Sequence, residues 1–324
     1  MTNDAAAIGV DIGGTKLAYV VADRAGRVLA EFSEPTNSHE GYAITARRIG
    51  ATIMRLREQN GRPVVGIGIG SPGAIDSVNG HVHNAVNLGW VDVPLIPLLR
   101  EVIGPDLPVW LGNDVNVVAL GELVFGAARG CKDVIYLAVG TGLGGGAIVD
   151  GRVVNGFDGH AMEVGHTSLD PRGRLCACGG HGCAEMYVSG IGLLAGVEAY
   201  HEHHPQSALA ADIRAGREVT THAIVEAARA GDSLAQQVFV EASAALGTVA
   251  AWCAMLFNPE RIVIGGGLGH AAGDLLLDGM TDMMQARMMP GLFEQIAIVR
   301  SQVQTSALGP AALVWHALEQ QMAR

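Results

Sequence analysis

One pattern restricts the folds open to this chain more than any other, because it occurs twice. Residues 8–29 read IGVDIGGTKLAYVVADRAGRVL, and residues 133–154 read DVIYLAVGTGLGGGAIVDGRVV. Each is an apolar run, a glycine-rich turn, a second apolar run, a turn containing glycine and a third short run. Short apolar runs bounded by glycine read as buried strands joined by tight hairpins. Self-similarity at long spacing points to two related halves, each opening on a glycine turn of phosphate size.

The residues after each copy extend the parallel. In the first half Tyr42, Ala46, Ile49, Ile53 and Leu56 recur at steps of four and three, one apolar helix face. VVGIGIG at 64–70 reads as a buried strand running into the Pro72-Gly73 turn. LPVWLGND at 107–114 is another strand, and helical periodicity comes after it. Asn113 and Asp114 therefore fall at a strand-to-helix junction, where α/β sheets hold ligands. The second half continues with a cysteine segment, an Ala- and His-rich stretch (190–230) and a helix over 232–257. NPERIVIGGGLG at 258–269 reads as turn, buried strand and third glycine loop, and a last helix over 309–322 is expected to return to the first half. The predicted division is a smaller α/β domain over 1–113 plus 306–324, and a larger one over 114–305 that carries the cysteines.

Composition excludes several classes. With 324 residues there is length for two domains or one large α/β unit; 49% hydrophobic content, 16% charged and 45 glycines suit a compact, turn-rich α/β enzyme. The net charge is −11 and the densest basic spots are Arg47-Arg48 and Arg172/Arg174, which speaks against nucleic acid and anionic membrane as partners. MTNDAAAIGV has an acid and no basic segment, unlike a signal peptide. The apolar stretch 245–257 is expected to be a core helix, too short to span a bilayer. A soluble cytoplasmic protein is the expectation. In a reducing compartment five cysteines, an odd number, do not suggest a disulfide framework. Cys131 and Cys253, alone among apolar neighbours, read as core residues.

Glycine-rich turns leave backbone N–H groups open to phosphate oxygens. Three are present: DIGGTK (11–16), GTGLGGG (140–146) and GGGLG (265–269). None matches the Walker or dinucleotide pattern. Each alone reads as a hairpin turn; the first two, at matching points of duplicated halves, read as the clamp of an ATPase. Asp11 ends an apolar strand, either as a turn-forming residue or as a ligand of Mg²⁺ through water. Asp114 is either a helix N-cap or, with Asn113 gripping adjacent hydroxyls, a general base for phosphoryl transfer.

CACGGHGCAE (176–185) holds three cysteines, and His166 precedes it. His166, Cys176, Cys178 and Cys183 have the ligand types and number of a closed Cys₃His zinc site, structural because no position is left for water. A reversible Cys178–Cys183 disulfide is the alternative. Glu163 and Glu185 flank the segment and are expected to face a polyhydroxyl ligand.

DIGGTK, SPGAID, NLGW, GND, GTGLGGG, EVGH, CACGGHGCAE, YVSG and NPERIVIGGG, in this order, resemble the motifs of the ROK family (repressor, open reading frame, kinase), from about residue 8 to the end. The resemblance implies a two-domain actin-like, ribonuclease-H-like ATPase fold with sugar and ATP in the interdomain cleft. By the matching motifs Asp114 is the base on a sugar 6-hydroxyl, with Gly73, Asn87, Asn113, Glu163, His166 and Glu185 as sugar contacts. Asp11, Gly13, Gly14, Thr15 and Lys16 with Gly140, Thr141 and Gly142 hold the ATP phosphates and Mg²⁺, and Gly266-Gly267 lie by the adenosine. His166 then serves both sugar and structural Zn²⁺. One departure is GHAMEVGH, with Met162 where the family commonly has Gly. SPGAID and NLGW are most similar to the glucokinase branch; kinases of N-acetylglucosamine, N-acetylmannosamine, allose or fructose share the other motifs. A repressor of the family carries a winged helix before the first glycine turn, for which Asp11 leaves no room, and a non-catalytic sugar sensor is a third possibility. ATP and polyphosphate both remain open as donors, and a homodimer is the common expectation.

Overall fold

The computed structural model describes residues 4–322. Contacts divide them into two units, one of residues 4–131, 152–161 and 302–322, the other of residues 132–151 and 162–301.

In the first unit β1 (Ala6–Ile12), β2 (Lys16–Asp23) and β3 (Val28–Pro35) form an antiparallel meander. β4 (Val64–Ser71) then pairs parallel with β1, and the sheet is completed by β8 (Val109–Asn113), parallel to β4. The order is β3-β2-β1-β4-β8. Between the last two, β5 (Ala74–Asp76), β6 (His81–Ala85) and β7 (Trp90–Val93) make a small antiparallel sheet.

Side-chain size differs between the two faces of the large sheet. Ile8, Val10 and Ile12 pack with Ile49 and Ile53 of α1 (Tyr42–Asn60) and Leu95 and Leu99 of α2 (Leu95–Ile103). Ala7, Ala18 and Ala22 face the other way, toward Ala307, Ala311 and Trp315. Small residues there let a helix lie close. A Cβ on Gly68 would overlap the Pro310 carbonyl, so the GIGIG strand is glycine-rich because α10 (Leu308–Met322) sits against its backbone. α3 (Asp114–Val124) packs on α10, and the buried Glu122 carboxylate accepts the backbone N–H groups of Ala127, Gln302 and Val303. That packing keeps α3 in the first unit, whose first segment ends at Cys131 rather than at Asn113 as the sequence division had it.

In the second unit β9 (Val134–Val139) and β10 (Leu143–Val149) form a hairpin, and β12 (Arg261–Gly265) and β13 (Ala297–Arg300) join in parallel. The order β10-β9-β12-β13 repeats β2-β1-β4-β8, as the duplicated sequence predicts. β11 (Arg152–Val153), a two-residue strand, falls in the 152–161 segment of the first unit. The Ala- and His-rich stretch with the residues just before it forms α4 (Glu185–Val188), α5 (Gly190–Tyr200), α6 (Ala208–Arg214) and α7 (Thr221–Arg229). α8 (Ser233–Phe257) packs along α9 (Gly267–Arg287). The stretch 245–257, judged too short for a bilayer, is the end of this 25-residue helix, long and apolar enough by composition to cross one. It serves as a core helix, with 72% of its most apolar window buried. Cys253 is buried, whereas Cys131 is only half-buried.

Candidate functional site

β1 delivers Asp11 to the edge of the first glycine turn. The turn closes with the Gly13 N–H donating to the Lys16 carbonyl at 2.9 Å. Thr36 holds it from outside: its hydroxyl donates to Gly13 O at 2.6 Å and its N–H to Thr15 O at 3.0 Å. Thr15 and Lys16 are exposed. The Ser306 hydroxyl, 295 residues away in sequence, donates to Asp11 Oδ2. Burial pushes the Asp11 carboxyl above its usual range, against the opposing pull of the Ser306 hydrogen bond and the Lys16 charge. A carboxylate desolvated beside an open turn has the donor chemistry for a hard divalent cation, which would offset that cost. The turn also lies by Asn87, since a Cβ on Gly14 would sit 3.6 Å from that of Asn87.

At the end of β8 the capping role considered for Asp114 is taken by its neighbour. Asn113 is the N-cap: its Oδ1 accepts from Val115 N at 3.0 Å and Asn116 N at 3.2 Å. Its Nδ2 donates to the Gly73 carbonyl at 3.2 Å. Asp114 is the first residue of α3, with Oδ1 accepting from Val115 N at 2.9 Å. Gly73, Asn113 and Asp114 thus form one cluster, and capping spends most of the Asn113 amide on positioning its neighbour.

The second unit repeats the turn. The Gly140 N–H donates to Gly142 O at 2.9 Å, and α5 docks on it by Gly190 N to Gly140 O at 2.8 Å. GGGLG is not a third loop. Gly266 is the N-cap of α9, which begins at Gly267, so the stretch is a strand-to-helix junction whose N–H groups face outward. Gly140, Thr141 and Gly267 line one cavity of about 590 Å³. Its other side comes from α7, with Thr221, His222, Val225, Glu226 and Arg229, none of which the sequence had singled out. Arg229 pins α7 to α9 through Asp274 at 2.9 Å and pairs with Glu226 at 3.0 Å.

His166, Cys176, Cys178 and Cys183 also come together, with all ligand atoms within 4.8 Å of one another. Cys178 and Cys183 sulfurs are 3.5 Å apart, and Cys176 Sγ is 3.7 Å from His166 Nδ1. Ligands about 2.1–2.3 Å from a tetrahedral Zn²⁺ have edges of similar length, so the residues fit that ion. Backbone N–H donation from Gly180, with Cys183 and Cys176 beside it, lowers the Cys178 thiol to about 7, and burial pushes Cys183 up to about 12. With Nδ1 turned to sulfur, His166 keeps Nε2 for another partner.

The two glutamates differ. Glu185 Oε2 accepts from Leu143 N at 3.1 Å, tying the end of the cysteine segment to the second glycine turn. Glu163 is exposed, and its carboxylate has no partner among the described residues. It is the centre of an inverse γ-turn (φ −69°, ψ 51°) closed by Val164 N to Met162 O at 2.7 Å. Met162 takes a φ of 69°, a left-handed conformation that glycine adopts at less cost.

A sheet order used twice, each copy led by a hairpin with a glycine turn, defines an α/β fold of the actin-like ATPase type. The chain belongs to the ROK family, whose model matches residues 7–317. It is 36% identical over 287 residues to a glucokinase of Halalkalibacterium halodurans, covering 87% of this chain and 86% of that one. A ROK family glucokinase from Streptomyces griseus, solved with glucose and AMPPNP, superposes with a TM-score of 0.78 at 34% identity, covering 95% of this chain and 98% of that one. A ROK family transcriptional regulator, a homologue of the Escherichia coli MLC protein, superposes with a TM-score of 0.86 at 28% identity, covering 97% of this chain and 78% of that one.

Proposed function

We propose that the protein transfers the γ-phosphoryl group of ATP to the 6-hydroxyl of a hexose, with glucose preferred. The observation that carries this reading is the carboxylate of Asp114, set on the first residue of α3 by the Asn113 cap at the carboxyl end of β8. There it would orient the sugar hydroxyl and take its proton as oxygen attacks phosphorus, a role worth about 10²–10⁴ in rate. Gly73, Asn87 and Asn113 of the first unit and Glu163, His166 and Glu185 of the second would contact the sugar. Glycine-turn N–H groups at Gly13–Thr15 and Gly140–Gly142 would hold phosphate oxygens, with Lys16 adding charge. The α7-lined cavity has room for a nucleoside, and this favours ATP over polyphosphate. Mg²⁺, held through Asp11, would supply charge neutralisation at the phosphates. Zn²⁺ on His166 and the three cysteines would fix the segment from which Glu185 projects.

A second reading, a sugar-responsive regulator without turnover, is favoured by the high superposition with the MLC homologue. ADP release separates the two. With Mg-ATP and a panel of glucose, mannose, fructose, allose, N-acetylglucosamine and N-acetylmannosamine, the kinase reading requires turnover with one sugar strongly preferred, expected to be glucose. Sugar binding without ADP release from zinc-replete protein supports the regulator.

A further inference from the structure

The first unit contains a second cavity that shares only Asn113 with the proposed sugar contacts and nothing with the proposed nucleotide contacts. It measures about 400 Å³, within the size range of small-molecule sites, and every residue lining it belongs to that unit. Its apolar wall comes from Trp110 and Leu111 of β8, Val117 and Leu120 of α3, and Leu313 and Ala317 of α10. Two polar groups in it lack partners. Asn116 is 4% exposed and gives its Nδ2 to Asn155 Oδ1 at 3.3 Å, yet its Oδ1 has no hydrogen-bond partner. A buried amide oxygen left unpaired carries a desolvation penalty that a ligand hydroxyl or amine would remove. The other is Arg152, which lines the same cavity and makes no ion pair or side-chain hydrogen bond among the described residues.

We propose that this cavity binds a small amphipathic acid. Its carboxylate would meet Arg152, its ring or branched body would fill the space between Trp110 and Leu313, and a hydroxyl would donate to Asn116 Oδ1. Placement gives the site a consequence. Asn113, the N-cap of α3, and Asn116 in its first turn both line the cavity, and Asp114 lies between them in sequence. An occupant therefore bears on the turn that carries the proposed base, and that part of the inference rests on the kinase reading.

The test uses the full chain and 4-hydroxyphenylacetate as probe, followed by calorimetry, with phenylacetate (no hydroxyl donor) and 4-hydroxyphenylacetamide (no charge) as comparisons. Saturable binding of one probe per chain is expected, weakened at least about tenfold by removal of the charge from the probe or by Arg152→Ala. Ala317→Trp, which fills the cavity from α10, should abolish it while ADP release without probe stays near wild type. Saturating probe should change the apparent KM for sugar in wild type and leave Ala317→Trp unaffected. No saturable binding to wild type, or equal binding to wild type and Ala317→Trp, overturns the site; binding with no change in sugar KM overturns its coupling to α3. Absence of ADP release in all proteins, with probe binding intact, instead counts against the kinase reading alone.

Discussion

Glu185 and Leu143 join the cysteine segment to the second glycine turn: Oε2 of the one accepts the N–H of the other at 3.1 Å. Gly142 is what makes room. A Cβ on it would collide with the same carboxylate oxygen, and no other atom stands in the way. Gly142→Ala should therefore displace Glu185 rather than unfold the unit. Expected is a stability loss of about 1 kcal/mol or less with turnover down about tenfold to a hundredfold. Thermal unfolding and steady-state kinetics on the same sample separate the two; a collapse in stability with normal activity per folded molecule would contradict the positioning role.

Asp11 is held at a cost. Burial raises its pKa above the unfolded value, so ionisation is harder in the folded chain than in the unfolded one. That contribution is absent below the unfolded value, about 3.9; stability then falls as pH rises through the raised folded value and stays lower above it. Asp11→Asn keeps the acceptor for the Ser306 hydroxyl and removes the charge. The variant should melt higher than wild type at neutral pH without nucleotide, lose the difference in acid, and lose Mg-ATP-dependent turnover. A lower melting point at neutral pH would refute the assignment of burial as the dominant effect.

Met162 sits in the left-handed region, with its side chain against β10 at Gly145. Glycine removes the strain but loses this packing, so Met162→Gly should change stability by no more than about 1 kcal/mol. A β-branched residue adds strain, and Met162→Val should cost about 1–3 kcal/mol. Because Glu163 is the centre of the same turn, Met162→Gly should also alter the ratio of kcat/KM values between sugars. Equal melting points for the Gly and Val variants would show that the turn relaxes.

The cysteine cluster predicts one zinc per chain by elemental analysis. Chelation or Cys183→Ser should remove the zinc and lower the melting point. Cys253→Ala, which deletes a thiol that burial pushes up to about 12, should leave zinc content intact. Three free thiols on titration after denaturation without reductant, and no metal, would favour the Cys178–Cys183 disulfide instead.

What the sequence disclosed was local. The repeated strand–turn–strand pattern predicts both meanders and their matching order, because glycine turns and apolar alternation are written in adjacent residues. The cysteine cluster was legible for the same reason. Ser306 was not, since only the return of the chain after 301 brings it to Asp11. Nor were the α7 residues of the nucleoside-sized cavity, which lie in an Ala- and His-rich stretch without a motif. GGGLG misled because glycine is a poor helix former and no capping side chain marks the helix start there. Asn113 reversed roles with its neighbour for a similar reason: either residue type caps a helix, and only the backbone decides which one does.

The central claim is that Asp114 takes the proton from the sugar hydroxyl. It is tested most directly by single-turnover phosphoryl transfer to glucose in Asp114→Asn, with glucose affinity measured by calorimetry on the same preparation. The account predicts glucose affinity within a few-fold of wild type and a rate lower by about 10²–10⁴. A near-wild-type rate would contradict it.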